Sequence, residues 1–150
     1  MSKLEKELQD KLLINLLDLV EQSVLCKMNI ETTTNAGQLL LAKSRYIQGP
    51  QTVSKSQLPT ENSNEFNALK TVTRTEDEID NKFELSVHTV DKENGFIDAI
   101  RWFGVLVPRS LQMAQEKFNQ AVELVIESAN IQTKLNNTIR YLLLLRNKSS

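Results

Sequence analysis

The sequence predicts an all-α protein, an elongated antiparallel hairpin of two long, coiled-coil-like helices joined by a long acidic linker. Three observations support this fold class. The chain has 150 residues, which suits one domain over residues 1–150. Only four Gly and three Pro interrupt it, and aromatic residues make up 5%. Apolar residues near both ends recur at steps of three and four, the spacing of a helix seam.

The first helix is predicted over residues 3–48, a range without Pro and with one Gly, Gly37. Its seam is interrupted by several polar or small residues and consists of Leu12, Leu16, Leu19, Ser23, Cys26, Ile30, Thr33, Gly37, Leu40, Ser44 and Ile47. Four further apolar residues widen the face in the first half: Leu13, Ile14, Leu17 and Val20. One partner helix cannot cover a face of that width, so a second buried surface is expected there. Gly37 is expected at a bend or a close helix crossing.

The linker is predicted over residues 49–95, beginning at Gly49 and Pro50, and it holds five basic and nine acidic residues. Residues 66–74 and 83–90 carry β-branched residues, so the linker can contain a short β-hairpin, which needs a surface to pack on. The acidic run 76–80 is interpreted as solvated charge, because Ile79 stands where a calcium loop needs an oxygen ligand.

An apolar, aromatic segment over residues 96–108 precedes the second helix, predicted over residues 109–146. The seam of that helix keeps a strict three–four spacing and consists of Leu111, Ala114, Phe118, Ala121, Val125, Ser128, Gln132, Leu135, Ile139, Leu142 and Arg146. Helices of about 40 to 45 residues reach about 60 Å or more, and neither can bury its stripe alone. An antiparallel hairpin with the linker at the turn satisfies both helices.

Composition disfavours several function classes. A net charge of −1 disfavours binding to nucleic acid or an acidic membrane. One Cys and one His cannot build a zinc site, and the sequence has no glycine-rich phosphate loop or nucleophile motif. We therefore expect no metal, no cofactor, no catalytic residues and no enzymatic activity. The sequence shows neither a signal peptide nor a membrane span, which predicts a soluble cytosolic protein.

Single polar residues receive ordinary structural interpretations. We expect Cys26 to be a small buried residue of the seam and His88 to lie on the surface. Asn130, within the second helix, is expected to face solvent.

The segment around Trp102, the sole tryptophan, allows two interpretations. Trp102, Phe103, Leu106 and Val107 either fold back to cover the wide face near Leu13 and Leu17, which we favour, or form a docking site. The second remains open because Trp and Phe anchors are typical of interface hot spots.

Two segments resemble a known family when they are taken together. Residues 39–46, LLLAKSRY, match an L-x-L-A-K-x-R-Y pattern, and residues 102–118, WFGVLVPRSLQMAQEKF, match W-F-G-x-L-V-P-x-S-L-x-x-A-Q-x-x-F. Both patterns occur, in this order, in the coiled-coil-domain family of vacuolar-type ATPase assembly factors, and the second is the more specific.

The resemblance implies a non-catalytic assembly chaperone for the membrane sector of the proton pump. Such proteins act on the cytosolic face of the endoplasmic reticulum with a membrane-anchored partner, and support acidification of vacuoles, lysosomes and endosomes. The resemblance also implies a presence on ER–Golgi intermediate and COPI vesicles, and partners among the pump's subunits. Its motifs give these interaction residues: Leu41, Lys43, Arg45, Tyr46, Trp102, Phe103, Leu106 and Pro108. We add Leu13, Leu17 and Val20 of the wide face as the expected contact with the anchored partner.

Two other classes remain open. A prefoldin-like cytosolic holdase shares the order helix, short hairpin, helix, and would assemble as a multi-subunit ring. A coiled-coil vesicle tether needs a more continuous seam than this one, which is interrupted at Ser23, Thr33, Gly37 and Ser44.

Overall fold

The structure is a computed structural model that describes residues 2–76 and 81–148. Its elements are helix α1 (Lys3–Gln48), strands β1 (Lys70–Glu76) and β2 (Asn81–Val87), and helix α2 (Arg109–Lys148), with 3-10 turns at Lys55–Gln57 and Ala99–Phe103. Residues 77–80, which make up most of the acidic run predicted to be solvated, lie outside the described residues.

The prediction of an all-α class is wrong, because β1 and β2 form a two-stranded antiparallel sheet beside the two helices. The fold is mixed, with a small sheet added to a helical hairpin. Thr71, Val72, Thr73 and Thr75 favour the extended chain, since β-branched side chains fit a pleated surface. A hairpin this short is marginal by itself, and here it packs on α2.

Helix α1 is 46 residues long, or about 69 Å at 1.5 Å per residue. It begins with a capping box in which the Glu5 N–H donates to Ser2 Oγ at 3.2 Å. The Ser2 N–H donates back to Glu5 Oε2 at 2.7 Å. Gly49 ends the helix at a φ of 88°, a conformation that disfavours residues with a Cβ, and Pro50 follows it.

The two long helices pack antiparallel along their whole seam. Ser44 contacts Ser110 at one end, Cys26 contacts Leu124 near the middle, and Leu19 and Ile131 share a buried cluster further along. This cluster also contains Cys26, and Ile30, Leu124 and Leu135 pack against it. The hydrophobic core is therefore a thin layer between two helices rather than a globular interior.

The predicted seam of α1 is buried or half-buried from Leu12 to Ser44, and only its last member, Ile47, is exposed. The predicted seam of α2 is wrong in alternate positions after Ala121. Leu124, Ile131 and Thr138 face α1 instead of Val125, Gln132 and Ile139. Two successive steps of three, from Phe118 to Ala121 and from Ala121 to Leu124, move the contact line one residue earlier in the helix.

Asn130, near the middle of α2, forms two hydrogen bonds with the sheet. The Phe83 N–H donates to Asn130 Oδ1 at 2.8 Å, and Asn130 Nδ2 donates to the Phe83 carbonyl at 3.0 Å. The expectation that Asn130 faces solvent is therefore wrong. This amide satisfies both backbone groups of one strand residue, as a neighbouring strand would.

Candidate interaction surfaces

The two sequence motifs come together at one end of the helical hairpin, which we call the motif end (residues 39–46 and 99–118). Ser44 of the first motif is fully buried, and its Oγ lies 2.7 Å from Ser110 Oγ of the second. Because Ser44 Oγ donates to the Leu40 carbonyl at 2.9 Å, the Ser110 hydroxyl is the donor between the two serines. A buried hydroxyl pair thus fixes the end of α1 against the start of α2.

Several other motif positions are explained by packing. Ala114 is 1% exposed at the helix interface, and Phe118 places its ring against Gly37 of α1. A Cβ on Gly37 would stand 3.1 Å from two atoms of that ring, so this position is a close helix crossing, one of the two alternatives expected for it. Gln115 Nε2 donates to Asp98 Oδ1 at 2.6 Å and holds the 3-10 turn on α2.

Trp102 and Phe103 pack at the motif end. Trp102 meets Phe66 edge-to-face, with ring centroids 5.1 Å apart and an interplanar angle of 71°. Phe103 and Leu41 together line two adjoining grooves of 250 and 370 Å³. The expectation that this segment covers the face near Leu13 and Leu17 is wrong, since both leucines remain exposed.

Other predicted site residues at the motif end face solvent. Leu106 is 93% exposed and Tyr46 is 91% exposed, and Lys43 and Arg45, near Tyr46 in sequence, are exposed too. Pro108 is half-buried. The motif end therefore has a packed interior and an exposed apolar and basic surface.

The wide face of α1 forms a second surface. Leu13, Leu17 and Val20 are 43%, 69% and 44% exposed, and α2 does not cover them. The same line continues through Val24 and Met28, so the residues follow one another at steps of four, three, four and four. Those steps trace one stripe of a helix, beside the seam rather than on it. We call these five residues the α1 stripe; sequence reasoning found only its first three.

The potentially reactive side chains have structural roles. Burial raises the pKa of the Cys26 thiol, whose Sγ donates to the Leu124 carbonyl at 3.3 Å. His88 is exposed and stacks on Phe96 with centroids 5.1 Å apart. Within residues 2–76 and 81–148, no three His, Cys, Asp or Glu side chains are grouped to hold a metal ion. Neither helix, over its described residues, is long and apolar enough to cross a membrane.

No protein-family model matches the chain. It is 30% identical to the mouse vacuolar ATPase assembly protein VMA22 over 156 aligned positions, which cover 89% of this chain and 86% of the mouse protein. The chain belongs to the VMA22 family. The cattle protein of the same name is 24% identical, over an alignment that covers 84% of this chain and 82% of the cattle protein. The predicted membership in this family of assembly factors is confirmed.

Membership in the VMA22 family does not by itself assign roles to the residues of the two surfaces. The interaction roles of Leu13, Leu17, Val20 and of the motif residues remain predictions. The structure adds Val24 and Met28 to the first surface, and their helical spacing in the sequence was the signal that could have revealed them.

Proposed function

We propose that this VMA22-family protein is a non-catalytic assembly factor for the vacuolar-type proton-transporting ATPase. It acts on the cytosolic face of the endoplasmic reticulum together with a membrane-anchored partner. The names of the mouse and cattle relatives support the assembly role. The observation on which the mechanism rests is the α1 stripe, a line of exposed apolar side chains on a helix whose other apolar face is already occupied by α2.

The α1 stripe fits an amphipathic helix of the anchored partner. A helix laid along Leu13, Leu17, Val20, Val24 and Met28 would bury one apolar side chain per turn, as in recognition of a helix in a groove. Burying an exposed Leu, Val or Met completely contributes about 1.5–3 kcal/mol, so these five half-exposed residues contribute on the order of 4–8 kcal/mol before the cost of association is subtracted. The protein thereby stays at the membrane without crossing it.

The motif end is proposed to contact the pump's subunits. Leu106 and Tyr46 supply the apolar contact, and Lys43 and Arg45 supply charge that suits an acidic surface. Because Ser44 and Ser110 hold this end rigid, binding costs little ordering of the backbone.

The test is a double substitution, Leu17→Asp with Val24→Asp, in cells that lack the endogenous protein. We expect the variant to stay folded, to leave the membrane fraction, and to lose co-purification with an endoplasmic-reticulum membrane protein and pump subunits. Vacuolar or lysosomal pH should then rise. Leu4→Asp is the matched control, because Leu4 is 75% exposed on α1 but lies outside the α1 stripe.

Recovery of neither a membrane-anchored partner nor pump subunits with the unmodified protein would contradict the assembly role. A double variant that co-purifies as well as the control would contradict the assignment of the α1 stripe. Imaging of a tagged protein tests the proposed location, namely the endoplasmic reticulum and ER–Golgi intermediate or COPI vesicles, with endosomes and lysosomes as further sites.

One observation favours a second candidate, a prefoldin-like holdase: the chain has the order helix, β-hairpin, helix. A holdase of that type would be recovered as a multi-subunit cytosolic ring and would suppress aggregation of unrelated unfolded proteins. Native mass spectrometry of the purified complex distinguishes it from an assembly factor bound to one membrane protein.

A further inference from the structure

The two outer edges of the β1–β2 sheet differ. Asn130 of α2 occupies the outer edge of β2 by bonding both backbone groups of Phe83. Strand β1 makes its contacts with β2, and no described residue outside that strand hydrogen-bonds to the other edge of β1. A strand edge of seven residues without Pro or Gly is a template for pairing with another strand.

The hydrogen-bond pattern identifies the backbone groups that point outward from β1. His88 N–H donates to the Leu69 carbonyl at 2.7 Å, and these residues continue the register in which Lys70 faces Val87. Hydrogen-bonded and non-hydrogen-bonded pairs alternate along an antiparallel ladder. The outward residues of β1 are therefore Lys70, Val72, Arg74 and Glu76. Phe83 agrees with this alternation, because it faces Arg74 and turns its own backbone groups away from β1.

We propose that two copies of this chain pair antiparallel through their β1 edges and form a continuous four-stranded sheet in the order β2–β1–β1–β2. The pairing is centred on Thr73. Lys70 of each copy then faces Glu76 of the other, and Val72 faces Arg74. All four outward residues meet an outward residue, so every backbone donor and acceptor on this edge is satisfied.

Charge selects this register over its neighbours. A shift of two residues in one direction places Lys70 opposite Arg74, and a shift in the other direction places Arg74 opposite Arg74. Like charges directly opposite each other destabilise a sheet, whereas opposite charges stabilise it. Each shift also loses one of the four hydrogen-bonded pairs. Within each copy Glu76 already lies 3.6 Å from Arg74, so Lys70 of the second copy joins an existing ion pair.

The side chains of β1 also suit an internal strand of the proposed four-stranded sheet. Thr71, Thr73 and Thr75 lie on the other face, where Thr73 meets Thr73 of the second copy at the two-fold axis. Cross-strand threonine pairs are favourable in sheets. Because Asn130 bonds to the outer edge of β2 at Phe83 and α2 packs against that strand, α2 obstructs the addition of a third copy, and the assembly closes as a dimer.

The first experiment measures mass by sedimentation equilibrium of the purified protein without any partner. We expect a reversible dimer. Lys70→Glu should raise its dissociation constant about tenfold, since the variant replaces two attractive pairs by two repulsive ones. Glu76→Lys should weaken it similarly, and the combined Lys70→Glu and Glu76→Lys variant should restore it. Restoration also shows that neither substitution prevents folding of the chain that carries both.

The second experiment uses cysteine cross-linking under mild oxidation. In the proposed register the two Thr73 residues form a non-hydrogen-bonded pair with Cα atoms about 4.5 Å apart, within reach of a disulfide. Thr73→Cys should therefore give a covalent dimer. Thr71→Cys is the matched control, because its two copies lie four residues out of register, about 13 Å apart.

A protein that stays monomeric at every concentration overturns the proposal, and equal cross-linking of the two cysteine variants does the same. Loss of dimer in both single charge variants without recovery in the combined variant would overturn the register. Because the purified chain is used alone, these results are independent of the proposed role in pump assembly.

Discussion

Replacement of Asn130 by Ala should release the sheet from α2 while the two long helices stay packed. The variant loses two hydrogen bonds, of 2.8 and 3.0 Å, that join α2 to Phe83. Each such bond contributes about 0.5–1.5 kcal/mol net, so docking of the hairpin should weaken by about 1–3 kcal/mol. The loss is local because the buried cluster around Leu19, Cys26 and Ile131 does not involve Asn130.

Amide hydrogen exchange measures this effect directly. The Phe83 amide should exchange about tenfold to a hundredfold faster in Asn130→Ala, since 1.4 kcal/mol corresponds to a factor of ten. Asn130→Asp should fall between the two proteins, because a carboxylate still accepts from the Phe83 N–H but offers no donor to its carbonyl. Asn136→Ala is the control, an exposed asparagine on the same helix whose Oδ1 accepts from Gln132.

Unchanged exchange at Phe83 in Asn130→Ala would refute the reasoning, because the hairpin would then be held by other contacts. Equal acceleration in Asn136→Ala would refute it too, since the effect would then reflect general loosening of α2.

Three further predictions concern α1 and its contacts. Gly37→Ala should gain none of the roughly 1 kcal/mol that Ala adds over Gly in helix propensity, because its Cβ would stand 3.1 Å from the Phe118 ring. In a Phe118→Leu background the same substitution should stabilise the protein against urea unfolding. An equal effect on urea unfolding in both backgrounds would contradict this. Ser44→Ala should cost about 1–3 kcal/mol by leaving the Ser110 hydroxyl without its partner, and replacing both serines should cost less than the sum of the single losses in thermal unfolding. The pKa of Glu5 is lowered by its hydrogen bond from the Ser2 backbone. The contribution of Glu5 to folding stability is therefore present above a pH of about 4.5, its pKa in the unfolded chain, and is lost as the pH falls through its lower pKa in the folded protein. An NMR titration in which Glu5 shows no lowered pKa would contradict that contact.

The helical hairpin was accessible to sequence reasoning because its signals are local. The seam of α1 could be recognised despite Ser23, Gly37 and Ser44, since small residues at a helix interface keep the spacing while allowing close approach. The stop at Gly49 and Pro50 is also local. The family resemblance rested on motif positions such as Gly104 and Pro108, which helix periodicity does not dictate.

What the sequence could not provide depends on contacts between distant residues. Leu124 and Val125 are adjacent in sequence and both are apolar. Only the orientation of α2 against Cys26 decides that Leu124 lies on the seam. The all-α class failed for a related reason: a weak hairpin becomes stable through Asn130, which is distant from it in sequence. Trp102 was expected on the wrong part of α1 because nothing local indicates its partner, Phe66.

The arrangement along α1 explains how one thin molecule could serve two partners at once. Helix α2 occupies one face of α1 along its length, which leaves the α1 stripe no intramolecular partner among the described residues. Met28, the last residue of the α1 stripe, and Leu41 of the motif end are separated by 13 residues, or about 20 Å along the helix. A partner helix placed on the α1 stripe therefore leaves Leu106 and Tyr46 accessible to a second protein. The proposed β1 pairing uses none of the residues of these two surfaces.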